Sequence, residues 1–241
     1  VNSPRIGLGD QKGGRQCLGT VPVEADGSAF FEVPVNIPIL FHAVDEKGVA
    51  VQGMRSVTYT APGETLMCNG CHEQRVGVNP QRRTSAAPLA MRRAPSVILP
   101  EVAGSNPFSY PRLVQPVLDA KCVDCHGEKR EGKAPDLRKG NYLADKDLFF
   151  TSIRSLAKHV HHYGAFVEWN AFTPPYTEPG KFGAYASPLY AMLVKGHHGV
   201  RLTDGEMRRL VLFMESNASF LGHDHAARAQ ADGWIVYPVL Q

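Results

Sequence analysis

The chain has 241 residues, 26 basic and 23 acidic side chains and a formal net charge of +3, a balance too even to argue for a nucleic-acid partner. Charged residues at 20% and hydrophobic residues at 43% are ordinary globular proportions and argue against extended disorder. No run of about 18 apolar residues occurs, so no transmembrane segment is expected, and the first residues lack the apolar stretch of a secretory signal.

In chain order, residues 17 to 60 alternate and turn: Leu18 to Val23, Ala29 to Val33, Ile39 to Val44, Val49 to Val51 and Ser56 to Thr60, with Asp26-Gly27 and Lys47-Gly48 at the turns. This pattern predicts four or five short strands of an antiparallel sandwich. Ala61-Pro62-Gly63 closes it just before Cys68-Asn69-Gly70-Cys71-His72. From Glu73 to Asn106 the composition shifts to Arg, Pro, Ser and Ala, which reads as a surface linker. Helical spacing then returns over Tyr110 to Cys125, Lys146 to His162 and Ser187 to Lys195, the last opened by Ser187-Pro188 as cap and first-turn residue. Thr203-Asp204-Gly205-Glu206 has the form of a capping box for a final helix through Met214. The expected class is α+β, with a β-rich domain over 1–92 that carries the first Cys-His motif and a basic, Pro-rich linker. A mainly helical, cytochrome c-like domain over 93–241 carries the second motif.

That second motif is Cys122-Val123-Asp124-Cys125-His126, so four of the five cysteines fall in two pentapeptides of identical form. Two cysteines three positions apart reach the two vinyl groups on one edge of a porphyrin and form thioethers, while the adjoining His turns its imidazole beneath the iron. Two covalently bound haem c groups are therefore expected, on Cys68, Cys71 and His72 and on Cys122, Cys125 and His126. The competing reading is a sulfur cage around zinc. The separation of the pairs is longer than in common zinc ribbons, and zinc gives no reason for a His after both. The fifth cysteine, Cys17, lies on an expected strand and reads as a buried apolar thiol. Haem attachment requires an oxidising compartment outside the cytoplasm, so a periplasmic or extracellular location is expected.

The iron's remaining axial position decides between electron transfer and small-molecule chemistry. Candidate ligands are His42, His159, His161, His162, His197, His198, His223 and His225, with Met192, Met207 and Met214 in competition. Met192 and Met214 fall on apolar helical faces, where methionine usually packs in the core.

Several stretches together resemble the hydrazine synthase alpha subunit and its relatives: Gly19 to Ala29, Met54-Arg55-Ser56, Pro62 to Thr65, Cys68 to Glu73, Tyr110 to Leu118, Cys122 to Gly127, Pro179 to Ala184 and Gly196-His197-His198. The resemblance implies a rear haem with two His ligands, His126 and a distal one from the Gly-His segment; His197 fits best and His198 is the fallback. It also implies a front haem whose iron is held by a Tyr four residues beyond the motif His, with that His on zinc. Val76 stands at the corresponding position here, so His72 is expected to return to axial duty. The resemblance further implies a long propeller region ahead of this part, which these 241 residues do not include. The function expected is outer-sphere electron transfer to redox partner proteins, within or toward a multi-subunit complex. A haem enzyme with an open front iron acting on a small nitrogen or oxygen species is the alternative, and a haem-stapled structural module the third reading.

Overall fold

A computed structural model describes residues 6–7, 14–54, 57–68, 87–140, 148–161 and 178–238. The described elements are β1 (His42–Val44), β2 (Ala50–Gly53), α1 (Tyr110–Leu113), α2 (Gln115–Lys121), α3 (Val123–His126), α4 (Thr151–Ala157), α5 (Pro188–Lys195), α6 (Asp204–Glu215) and α7 (Ala227–Ala231). The mixture of helix and a small sheet is α+β. By backbone proximity the chain forms two compact units: one of residues Val1–Cys17, Ala43–Gln52 and Val102–Gln241, the other of Leu18–His42 and Gly53–Glu101.

In place of four or five strands, the described residues contain one two-stranded sheet, β1 with β2, and single bridges at Thr20↔Leu99, Phe31↔Ser96 and Ile39↔Thr58. Proline explains much of the shortfall. Pro22, Pro34 and Pro38 each remove a ladder donor, so the alternating segments pair at single points. Residues 87–101, within the expected surface linker, make specific contacts. They hold a short 3-10 turn, Leu89–Arg92, and pair by main chain with the preceding segment: Thr20 and Leu99 exchange N–H···O bonds of 2.9 Å, and Ser96 N–H donates to Phe30 at 2.8 Å. Asp26 accepts the Leu89 N–H at 2.9 Å, Ser28 accepts that of Ala90 at 3.1 Å, and Arg93 donates to Glu24 at 2.8 Å. The Leu89 N–H, with the Ser28 hydroxyl, holds the Asp26 carboxyl down at about 2. A basic, Pro-rich stretch is thus tied down by polar contacts that composition does not reveal.

The first unit is built on one apolar cluster. Tyr110, Leu113, Val114, Ile153, Phe150, Phe213, Met214 and Phe220 are almost fully buried, and Tyr110 meets Phe213 edge-on with ring centroids 5.1 Å apart. The helix expected over Tyr110 to Cys125 is three short ones. Pro116 has no N–H to offer the Arg112 carbonyl four residues back, and the chain breaks at Val114. Arg209 on α6 takes the orphaned carbonyl instead, at 3.1 Å. α4 is shorter than the expected Lys146–His162, of which residues 146, 147 and 162 lie outside the described residues. α5 and α6 start where expected, and the capping box is complete: Glu206 N–H donates to the Thr203 hydroxyl at 3.2 Å and Thr203 N–H to the Glu206 carboxylate at 2.8 Å.

Among the described residues of this unit, one carboxylate is buried. Glu215, at the end of α6, is 7% exposed and accepts the Ala184 N–H at 3.1 Å and the Ala50 N–H at 3.4 Å. Burial outweighs those donors and the nearby Arg208, and pushes its carboxyl up to about 7.

Candidate haem-binding site

The rear motif begins at Cys122, which caps α3, and ends that helix at His126. Cys125 and His126 N–H groups both reach back to the Cys122 carbonyl, at 3.2 and 2.9 Å, so the single turn places both sulfurs and the imidazole on a fixed frame. Cys122 is half-buried and Cys125 exposed. Burial, then the neighbouring Cys125 and Glu206, push the Cys122 thiol up to about 11.

The His126 ring is oriented by main chain. Its Nδ1 donates to the Pro135 carbonyl at 3.1 Å, which leaves Nε2 as the unprotonated nitrogen of the neutral ring. The next turn of chain returns past it, because Leu137 N–H donates to the His126 carbonyl at 2.9 Å. Asp136, between those two residues, accepts from Arg138 at 2.8 Å and pairs with Arg130 at 3.2 Å. The Arg138 guanidinium first of all, and Arg130 further, hold its carboxyl below the ordinary range.

His197 faces His126 from the loop between α5 and α6. The two Nε2 atoms are 3.5 Å apart, and the rings are nearly parallel, at 27° with centroids 5.8 Å apart. That separation is long for a hydrogen bond. A metal ion bound in line by two imidazoles at roughly 2 Å each would set the nitrogens about 4 Å apart, within about half an ångström of the spacing found. Burial, then His198 and His126, lower the basicity of His197, which favours the neutral ring that binds metal. The loop conformation is specific: Gly196, His198 and Gly199 all have positive φ, at 97°, 46° and 75°, and Val200 N–H closes the turn on the His197 carbonyl at 2.9 Å. His197 is half-buried and His198 exposed.

Among the described residues no group of three or more His, Cys, Asp or Glu side chains is placed to hold an ion, while two imidazoles converge next to the two cysteines of the motif. That pattern fits a porphyrin, whose vinyl carbons take the sulfurs while its iron takes the nitrogens. The site therefore passes the test of residue chemistry for covalent haem.

Of the front motif only Cys68 is described. It is exposed, beside Met67 at 72% and Leu66 at 46% exposure; Cys71, His72 and Val76 lie outside the described residues. Among the other ligand candidates, His223 uses both ring nitrogens, Nε2 with the Val236 carbonyl at 2.8 Å and Nδ1 with Gln230 at 3.2 Å. His159 is exposed, His161 is half-buried with its N–H on the Ser187 hydroxyl, and His42 opens β1. Met214 is fully buried in the core, as expected, whereas Met192 is 37% exposed, against its expected place on a buried face. Cys17 is half-buried against the apolar cluster. Pro135, Leu137 and Gln115 could not be picked out from residue patterns, because they act through carbonyls and an amide with no spacing signature.

Residues 8–73 match the family described as hydrazine synthase alpha subunit middle domain. The front of the chain is thus related to that domain, and the match ends one residue beyond His72. No curated protein and no solved structure matches the chain. No described helix is long and apolar enough to cross a membrane.

Proposed function

We propose that this chain is a dihaem c-type cytochrome that passes single electrons outside the cytoplasm, to redox partner proteins or within a multi-subunit assembly. The observation that carries the reading is the opposed pair, His126 Nε2 and His197 Nε2 at 3.5 Å, standing directly beside Cys122 and Cys125. Haem bound there supplies an iron that cycles between ferric and ferrous. The protein's part is to keep that cycle simple. Cys122 and Cys125 would hold the ring by its edge, His126 is held in one tautomer by Pro135, and His126 and His197 together would hold the iron, leaving no position on it for a substrate. Cys68, Cys71 and His72 would hold the second haem in the same manner. The relation of residues 8–73 to a domain of a synthase subunit supports membership of a larger assembly.

Spectra and gels test the reading directly. The pure protein is expected to contain two haems per chain that survive denaturation, and the Cys122→Ser/Cys125→Ser variant only one. A colourless protein that holds zinc instead would end the proposal.

The same relation supports a second reading for the front motif alone, an open iron that binds a small nitrogen or oxygen species. Electron spin resonance separates the two. A high-spin signal that shifts with nitric oxide, cyanide or hydroxylamine favours the enzyme; two unresponsive low-spin signals favour the carrier.

A further inference from the structure

Behind the rear motif runs a line of buried polar groups that the apolar core has no use for. Tyr110 and Ser152 are completely buried, and Gln115 is 3% exposed. The Tyr110 hydroxyl lies 2.9 Å from Ser152 Oγ, Ser152 Oγ lies 2.6 Å from Gln115 Oε1, and Gln115 Nε2 lies 3.1 Å from the Leu137 carbonyl and 2.7 Å from Asp119. The direction of every bond is fixed by what each atom can do. A carbonyl and a carboxylate face Nε2, so that atom must be the amide's donor and Oε1 its acceptor. Ser152 then gives its one proton to Oε1, and Tyr110 must donate to Ser152. Burial raises the Tyr110 phenol far above its ordinary value, so this donor keeps its proton.

The far end of the line is the segment that orients the iron ligand. Leu137, whose carbonyl Gln115 holds, gives its own N–H to the His126 carbonyl at 2.9 Å. Two residues earlier, Pro135 accepts the His126 Nδ1–H at 3.1 Å. A buried amide is costly unless fully bonded, and here both polar atoms of the Gln115 side chain have partners. Placing it on α2, about two turns ahead of the motif, ties the ligand's acceptor to the buried core.

We propose that Gln115 is a positioning residue that fixes, through Leu137, how closely the Pro135 carbonyl approaches the His126 Nδ1–H. The inference rests on the haem reading above. A stronger Nδ1–H···O bond makes an imidazole a better electron donor and stabilises the ferric state, so Gln115 holds the reduction potential of the rear site down. Ser152 and Tyr110 act one and two steps further back, by keeping the amide in its single orientation.

Gln115→Leu keeps the volume and removes the donor, and the neighbouring anchors remain: Thr151 and Ser152 N–H groups still hold the Lys139 and Arg138 carbonyls at 3.0 Å. The rear couple is identified first as the one that His197→Ala converts to high spin. In Gln115→Leu that couple's potential is expected to move positive, and the His126 Nδ1 proton, followed by NMR, to exchange faster, with both haems still attached and low-spin. An unchanged potential and exchange rate in a folded, low-spin variant overturns the proposal. Should Gln115→Leu not fold, Ser152→Ala decides by the same two readouts: a smaller shift in the same sense supports the role, and no shift overturns it. Wild-type protein without covalent haem would sink the haem reading itself, a result distinct from either.

Discussion

The two compact units are held together by different physics. Among the described residues, the buried apolar side chains of the second unit are Ile39 and Ala90, while Val97, Tyr59, Leu99 and Val23 are each more than 60% exposed. The first unit gathers Tyr110, Leu113, Ile153, Phe213, Phe220 and their neighbours into one cluster. Single bridges and side-chain caps give geometry with little hydrophobic stabilisation, whereas a shared core of aromatic and branched residues gives both. The paired imidazoles of His126 and His197 belong to the unit with the core, where a ligand position can be held to a fraction of an ångström.

The sharpest way to break the comparison is at the site. His197→Ala is expected to leave the rear haem attached through Cys122 and Cys125 but to turn its iron from low spin to high spin, visible in the absorption and electron spin resonance spectra. A low-spin spectrum that survives would transfer the role to His198. The next largest effect is on stability. Ile153→Ala, at a fully buried position, should cost about 2–5 kcal/mol in denaturant unfolding, and Leu99→Ala, at 62% exposure, less than about 1 kcal/mol. Equal costs would show that the second unit has a core of its own.

Glu215 gives a pH test confined to the first unit. Its folded carboxyl, raised to about 7 against an ordinary 4.5, retains a proton that the unfolded chain has already released. Unfolding thus releases protons between those values, and stability falls as pH rises through that window, by roughly 3 kcal/mol for a shift of this size. Glu215→Gln keeps an oxygen for the Ala50 and Ala184 donors and should remove that slope, so that the variant is the more stable protein above pH 7. Urea titrations at pH 5 and pH 8 read the difference. Smallest of all, Arg93→Ala removes a half-exposed pair with Glu24 and should change stability by less than about 1 kcal/mol.

What could be read from residues alone follows the same division. The capping box at Thr203 and the Ser187-Pro188 start of α5 were legible because each depends on a local rule, whereas the placing of His197 opposite His126 was suggested by the family resemblance alone. The sandwich was not, since alternation states which faces could pair and says nothing of which N–H groups find acceptors. The break at Val114 needed the knowledge that Arg209 would arrive from α6 to take a carbonyl left by Pro116. Five-residue α7, opened by Ala226 at φ 46°, is too short to show a period. The role of Gln115 rests on a carbonyl 22 positions away, beyond any sequence pattern.

The loop of Gly196, His197, His198 and Gly199 has a thermodynamic meaning of its own. Three left-handed residues around one imidazole leave the backbone few alternatives, and glycine at two of them makes that conformation inexpensive. Because the turn is closed by its own Val200 bond, most of the ordering entropy of ligation is already spent when the chain folds. In the proposed carrier, an electron would then arrive or leave without this loop having to rearrange, which would keep the nuclear barrier to transfer low.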